Sequence, residues 1–131
     1  MNEAARLEAT KEMFQKLSAQ LPVRVQTRDE LTATIKNLYT TAGGRVRCSR
    51  GGDTCIQVDS WFDMADGTKY TGYNLISFKD LGHQTGDLKH MIEDITMAYY
   101  RSALNGTEVR YTPKLIEIIN TPSVNVDMHS L

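Results

Sequence analysis

The chain has few of the residues that mark metal, redox or membrane-spanning sites. Its 131 residues include two cysteines and three histidines, and it contains no run of about 18 apolar residues that would span a membrane. His83, His90 and His129 form no close pair of ligands, and the cysteines lack the short spacing of zinc knuckles. We therefore expect neither a cofactor nor a metal.

The sequence also lacks the usual signatures of catalysis. Ser49 and Ser60 lie in predicted strands without a glycine elbow, and no marked Cys-His or Ser-His-Asp arrangement is present. The glycine pairs at 43–44 and 51–52 lie at a helix end and in a hairpin, not in a phosphate-binding loop. These absences predict a protein that is not an enzyme.

Length and composition predict one domain in a cytoplasmic setting. An apolar fraction of 40% over this length fits a single globular domain at residues 1–121, followed by an irregular and possibly truncated tail at 122–131. Glu3, Arg6 and Glu8 lie where a signal peptide needs an apolar stretch. The expected compartment is the cytoplasm, or the host cytoplasm or virion if the protein is viral.

The block from Arg45 to Phe78 predicts a three-stranded antiparallel meander. Glycines 51–52 and the Asp-Gly pair at 66–67 are strong hairpin signals. The middle strand alternates in the manner of a half-buried strand, with one face formed by Ile56, Val58, Ser60 and Phe62 and the other by Gln57, Asp59, Trp61 and Asp63.

Helical patterns precede the meander. A first helix ends before Pro22, and its apolar stripe consists of Leu7, Phe14, Leu17 and Leu21, with Met13 beside it. Thr27 and Glu30 have the spacing of a capping box at the start of a second helix, which ends at glycines 43–44. The apolar stripe of that helix is Leu31, Ile35 and Leu38.

Further elements follow the meander. Thr85 is the predicted cap of a third helix that ends near residues 105–106, with a stripe of Leu88, Met91, Ile92, Ile95 and Tyr99. A short strand is predicted from Glu108 to Tyr111, and a last helix begins at Pro113 and stops before Pro122. This order predicts an α+β fold in which helices cover one face of the antiparallel sheet, with a small C-terminal strand-helix element.

The pairing register of the first hairpin decides whether the two cysteines can meet. A two-residue turn pairs Cys48 with Cys55 but places Arg45 and Arg47 on the apolar face, which is costly. A three-residue loop pairs Val46 with Ile56 and puts the cysteines on opposite faces, where no disulfide can form. The binary pattern favours the second register and two free thiols.

The leading functional hypothesis is a small protein-interaction or assembly module, acting as a homodimer and accessory factor in a larger assembly, viral assemblies included. Pairing around residues 66–67 sets Trp61 opposite Gly72, where the indole could simply cover the glycine. Together with neighbours, it forms an aromatic and aliphatic strip of the kind favoured in protein interfaces. The predicted interface is this strip, Trp61, Tyr70, Ile76 and Phe78, or the helix stripe Leu7, Phe14 and Leu17.

Nucleic-acid binding is the second hypothesis. Residues 23–52 carry six cations and two acids, whereas the rest of the chain is acidic. Helix, three antiparallel strands and helix over 29–104 is an element order similar to that of double-stranded RNA-binding domains. Those domains carry a lysine cluster at the start of the last helix, but residues 86–94 have one lysine and three acids. The possible phosphate contacts are Arg24, Arg28, Arg45, Arg47 and Arg50.

A secretion chaperone is a third hypothesis, since such chaperones are also small, mildly acidic, dimeric α+β proteins. Its mark would be a stable complex with an extended client protein.

Overall fold

A computed structural model describes residues 3–22, 24–64, 66–104 and 113–120. The three strands form one antiparallel sheet in the order β1-β2-β3, and helices cover one of its faces. The α+β class and the meander are therefore confirmed. The elements are α1 (Glu3–Ser18), α2 (Arg28–Thr41), β1 (Arg45–Arg50), β2 (Cys55–Asp63), β3 (Lys69–Ser77), α3 (Leu81–Leu104) and α4 (Pro113–Asn120).

Both registers weighed for the first hairpin are wrong. β1 and β2 pair Val46 with Ser60 and Arg50 with Ile56, so the connection is longer than two or three residues. Gly52 takes a positive φ of 84° within it, a conformation that glycine adopts without strain. The shift from the favoured register is an even number of residues, which leaves Cys48 and Cys55 on opposite faces as predicted.

The second hairpin differs from its prediction by one residue. Trp61 pairs with Thr71, and Gly72 pairs with Ser60, not with Trp61. Because side chains alternate along a strand, this single step moves every side chain of β3 to the other face. Tyr70, Ile76 and Phe78 therefore lie on the helix-covered side, packed in or against the core, and their assignment to an open interface strip was wrong.

The capping box of α2 is confirmed. The Thr27 hydroxyl accepts a hydrogen bond from the Glu30 N–H at 3.3 Å, and the Glu30 carboxylate accepts one from the Thr27 N–H at 3.1 Å. Arg24 also donates to both carboxylate oxygens of Glu30. The Arg24 hydrogen bond, followed by that from the Thr27 backbone, lowers the pKa of Glu30 from its ordinary 4.5 to about 2.

This pKa predicts an acid-dependent loss of stability. Because the folded-state pKa is lowered, the contribution of Glu30 is complete above about pH 4.5 and is lost as the pH falls toward 2. We expect Glu30→Gln to be less stable than the natural protein at neutral pH, and we expect the gap to narrow through this interval. Urea unfolding at a series of pH values measures the gap. A gap that is constant from pH 7 to pH 2 would contradict the assignment.

The third helix begins at Leu81, ahead of its predicted cap. Asp80 caps it, since its carboxylate accepts a hydrogen bond from the Gly82 N–H at 2.8 Å and lies 3.0 Å from His83 Nδ1. Thr85 lies inside the helix and is not its cap. The predicted apolar stripe is confirmed, because all five of its side chains are buried: Leu88, Met91, Ile92, Ile95 and Tyr99.

The core lies between the sheet and the helices and is centred on Phe62. The Phe62 ring packs against Tyr39 and Tyr99, with centroids 6.1 and 6.2 Å away, and Tyr99 donates a hydrogen bond to the Ala42 carbonyl. Gly44 lies against the same ring, where a Cβ atom would come within 2.8 Å of Phe62 Cζ. The aromatic packing therefore requires a glycine shortly after α2.

The first helix buries most of its apolar stripe inside the molecule. Leu17 is fully buried and Phe14 is partly buried against the core, whereas Leu7 is 45% exposed. Leu17 is therefore not a surface contact in this fold, which corrects its assignment to an interface. The helix predicted at Pro113 is present and packs on α1, while the predicted strand 108–111 and the tail 122–131 lie outside the described residues.

Candidate protein-binding surface

None of the described helices covers the second face of the sheet, and we call it the outer sheet face. Side chains alternate, so the register assigns the members of this face directly. Arg45 pairs with Trp61, which pairs with Thr71, and these three side chains form one row across all strands. The outer sheet face consists of Arg45, Arg47, Ser49, Cys55, Gln57, Asp59, Trp61, Asp63, Lys69, Thr71, Tyr73, Leu75 and Ser77.

Two large apolar residues of β3 are exposed on this face. Tyr73 is 57% and Leu75 48% exposed, and they lie across from Asp59 and Gln57. Leu75 also extends over the end of the first hairpin, where a Cβ on Gly51 would lie 3.1 Å from Leu75 Cδ2. Sequence reasoning missed both residues because the predicted register was displaced by one residue and β3 has apolar residues on both of its faces.

Trp61 borders a shallow depression of about 300 Å³ on the same face. Lys69 Nζ lies 5.8 Å from the centroid of the indole ring, within cation–π distance. The indole N–H is buried and has no hydrogen-bond acceptor among the described residues. The depression is lined by Arg47, Asp59, Ser60, Trp61, Lys69, Thr71 and Gly72.

The charges of the outer sheet face are only partly paired. Arg45 lies 3.6 Å from the Asp63 carboxylate, and Gln57 Nε2 donates a hydrogen bond to Asp59 at 3.5 Å. Within the part of the chain that the structure describes, no carboxylate lies within 4.0 Å of the charged nitrogens of Arg47 or Lys69. The depression therefore has two cations without an ion-pair partner beside a single acid.

The five arginines proposed as phosphate contacts do not form one surface. Arg45 and Arg47 lie on the outer sheet face. Arg50, at the hairpin end of β1, lies on the opposite face of the sheet. Arg24 and Arg28 flank the start of α2. Four of the five are paired with acids: Arg24 with Glu30, Arg28 with Asp29, Arg45 with Asp63 and Arg50 with Asp53.

A polar cluster lies beneath the outer sheet face, between the sheet and α3. Asn74 Nδ2 donates a hydrogen bond to Asp94 at 3.3 Å, and a Cβ on Gly72 would come within 2.8 Å of Ser60 Oγ. The Tyr39 hydroxyl is buried nearby, and burial raises the pKa of Tyr39 to about 12. Gly72 thus makes room for this cluster, not for the indole of Trp61.

The described residues contain no group of three or more His, Cys, Asp or Glu side chains placed to hold a metal ion. Burial raises the pKa of the Cys48 thiol, on the helix-covered side, above its ordinary value.

None of the described helices is both long and apolar enough to cross a membrane.

Comparison of the chain with protein-family models, with curated proteins and with solved structures found no match. Function is therefore inferred from the geometry of the outer sheet face.

Proposed function

We propose that this protein is a non-enzymatic interaction module that binds protein partners through its outer sheet face, as an accessory factor of a larger assembly. The observation that carries the proposal is the exposure of Tyr73 and Leu75 beside Trp61 on a sheet face that no described helix covers. Aromatic side chains and arginine are enriched in protein interfaces. A cluster of three large apolar side chains on one small face is typical of a binding surface and not of a surface that only contacts solvent.

A protein partner fits this face better than nucleic acid does. The order α2-β1-β2-β3-α3 is present, but the start of α3 has Asp80 as its cap and Asp87 in its second turn. Most of the candidate arginines are neutralised by neighbouring acids. Nucleic-acid binding depends on clustered cations that displace the counterions condensed on the phosphates. Among the described residues, the outer sheet face offers only Arg47 and Lys69 without a neighbouring carboxylate.

The area of the outer sheet face limits how much surface a homodimer can bury there. Strands of nine residues are about 30 Å long and three strands are about 14 Å wide, which gives about 400 Å². A standard interface buries about 800 Å² on each partner. A homodimer held by this face alone is therefore expected to be weak and in exchange with the monomer.

Leu75→Glu is expected to weaken this self-association without unfolding the protein. The substitution places a charge at the exposed apolar centre of the proposed interface, while the side chain is already half in solvent. Sedimentation velocity from low to high micromolar concentration measures the effect. We expect the average mass of the natural protein to rise with concentration and that of the variant to stay at the monomer value.

Leu81→Glu is the matched control. Leu81 is 41% exposed at the start of α3, outside the sheet, so the same substitution adds the same charge elsewhere. If both variants lower the association equally, net charge is responsible and the outer sheet face is not the interface. If the natural protein stays monomeric throughout, self-association through this face is wrong.

A further inference from the structure

We infer that the depression beside Trp61 binds a side-chain carboxylate from an acidic, extended segment of a protein partner. The inference rests on the proposed function, because it names the chemistry of the partner that the outer sheet face receives. It concerns the Trp61 end of the face, whereas the exposed Tyr73 and Leu75 lie further along β3.

The side chains around the depression offer more hydrogen-bond donors than acceptors. The Trp61 N–H is buried without a hydrogen-bond partner among the described residues, and leaving a buried donor unpaired is unfavourable. Arg47 and Lys69 lie at the rim without ion-pair partners there, and Thr71 adds a hydroxyl. Since Asp59 offsets one of the two cations, the site has a net charge near +1. A single anionic group beside Arg47 and Lys69 offsets this charge.

A carboxylate fits these limits better than a phosphate. A carboxylate carries one negative charge, which matches the local excess, whereas a chain of phosphates would also meet the repulsion of Asp59 and Asp63 on the same face. The apolar Tyr73 and Leu75 alongside suit the alternate side chains of an extended peptide. The outer sheet face, with an area of about 400 Å², is large enough to hold an extended peptide segment of this kind.

Trp61 reports on its own site, because it is the only tryptophan of the chain. The probe is a capped synthetic peptide of the repeat Glu-Ser-Val-Ser, which presents Glu and Val on the same side of an extended chain, and the matched control peptide has Gln at each Glu. We expect the Glu peptide to shift the Trp61 fluorescence in a saturable manner. We expect the Gln peptide to bind more weakly, by up to about fivefold for each ion pair that its neutral side chains cannot form.

Two single-charge variants test whether charge controls the affinity for the Glu peptide, because they should change this affinity in opposite directions. Lys69→Gln is expected to weaken binding of the Glu peptide by up to about fivefold, and Asp59→Asn is expected to strengthen it by a similar factor. Opposite signs are not expected from a general disturbance of the sheet. Circular dichroism and thermal unfolding verify that both variants keep the fold.

The outcomes separate this inference from the proposed function. Equal binding of the Glu and Gln peptides, or no binding of either, overturns the carboxylate site, and the proposed function still stands if Leu75→Glu lowers self-association. Tighter binding of a single-stranded oligonucleotide than of the Glu peptide, with a steep salt dependence, overturns it in favour of phosphate. If Leu75→Glu has no effect while the Glu peptide binds with the expected charge dependence, the site stands and the interface for a second copy is wrong.

Discussion

Phe62→Ala is expected to lower the free energy of unfolding by about 3–5 kcal/mol. The ring is 2% exposed and lies between Tyr39 and Tyr99, so its removal leaves a cavity that these rings can fill only in part. A loss of this size is a large share of the roughly 5–15 kcal/mol stability of a domain. Urea unfolding followed by circular dichroism measures it.

A substitution at Gly44 tests the same packing around the Phe62 ring. Gly44 has no positive φ, unlike Gly43, so its backbone accepts an alanine. Gly44→Ala is nevertheless expected to cost about 1–3 kcal/mol, because the new Cβ meets the Phe62 ring at 2.8 Å. In a Phe62→Leu background the cost should fall. A double-mutant cycle that shows no coupling would contradict the contact.

Ile76→Glu is expected to abolish cooperative folding, whereas Leu75→Glu at the adjacent position is expected to leave it nearly intact. Ile76 is fully buried on the helix-covered side, where an unpaired carboxylate loses its hydration without compensation. Leu75 is 48% exposed on the outer sheet face. Thermal unfolding of the two variants, with the natural protein as reference, separates these outcomes.

This pair of variants is a direct test of the register of β3. Both introduce the same charge into the same strand, one residue apart, so differences in strand propensity are small. The register predicted from the turn at 66–67 places Ile76 outward and Leu75 inward and therefore expects the reverse result. If Leu75→Glu unfolds the protein and Ile76→Glu does not, the pairing of Trp61 with Thr71 is wrong.

Local sequence patterns were sufficient where one segment determines its own structure. The capping box of α2 needs only Thr27 and Glu30, which are three residues apart and whose reciprocal hydrogen bonds lie within one turn of the chain. The buried stripe of α3 follows from the helical period alone. The start of that helix was missed because Asp80 and Thr85 are both acceptable caps, and only the hydrogen bond from the Gly82 N–H identifies the one in use.

The candidate site shows where local patterns were insufficient. The sequence correctly placed Trp61 on the face opposite the helices, since the alternation of β2 is unambiguous. It assigned Tyr70, Ile76 and Phe78 to that face and missed Tyr73 and Leu75, because β3 contains apolar residues on both parities. The stripe of α1 was correct as a helix, but the burial of Leu17 depends on where α3 lies against it.

The α+β class, the meander, the capping box of α2 and the apolar stripes could all be predicted from the amino-acid sequence, because each depends on residues that are neighbours in the chain. The solvent-facing side of β3 and the groups around Trp61 became evident only from the packed molecule. The physical reason is that a strand register is fixed by packing between strands and helices far apart in sequence, and a one-residue difference in that register exchanges the two faces.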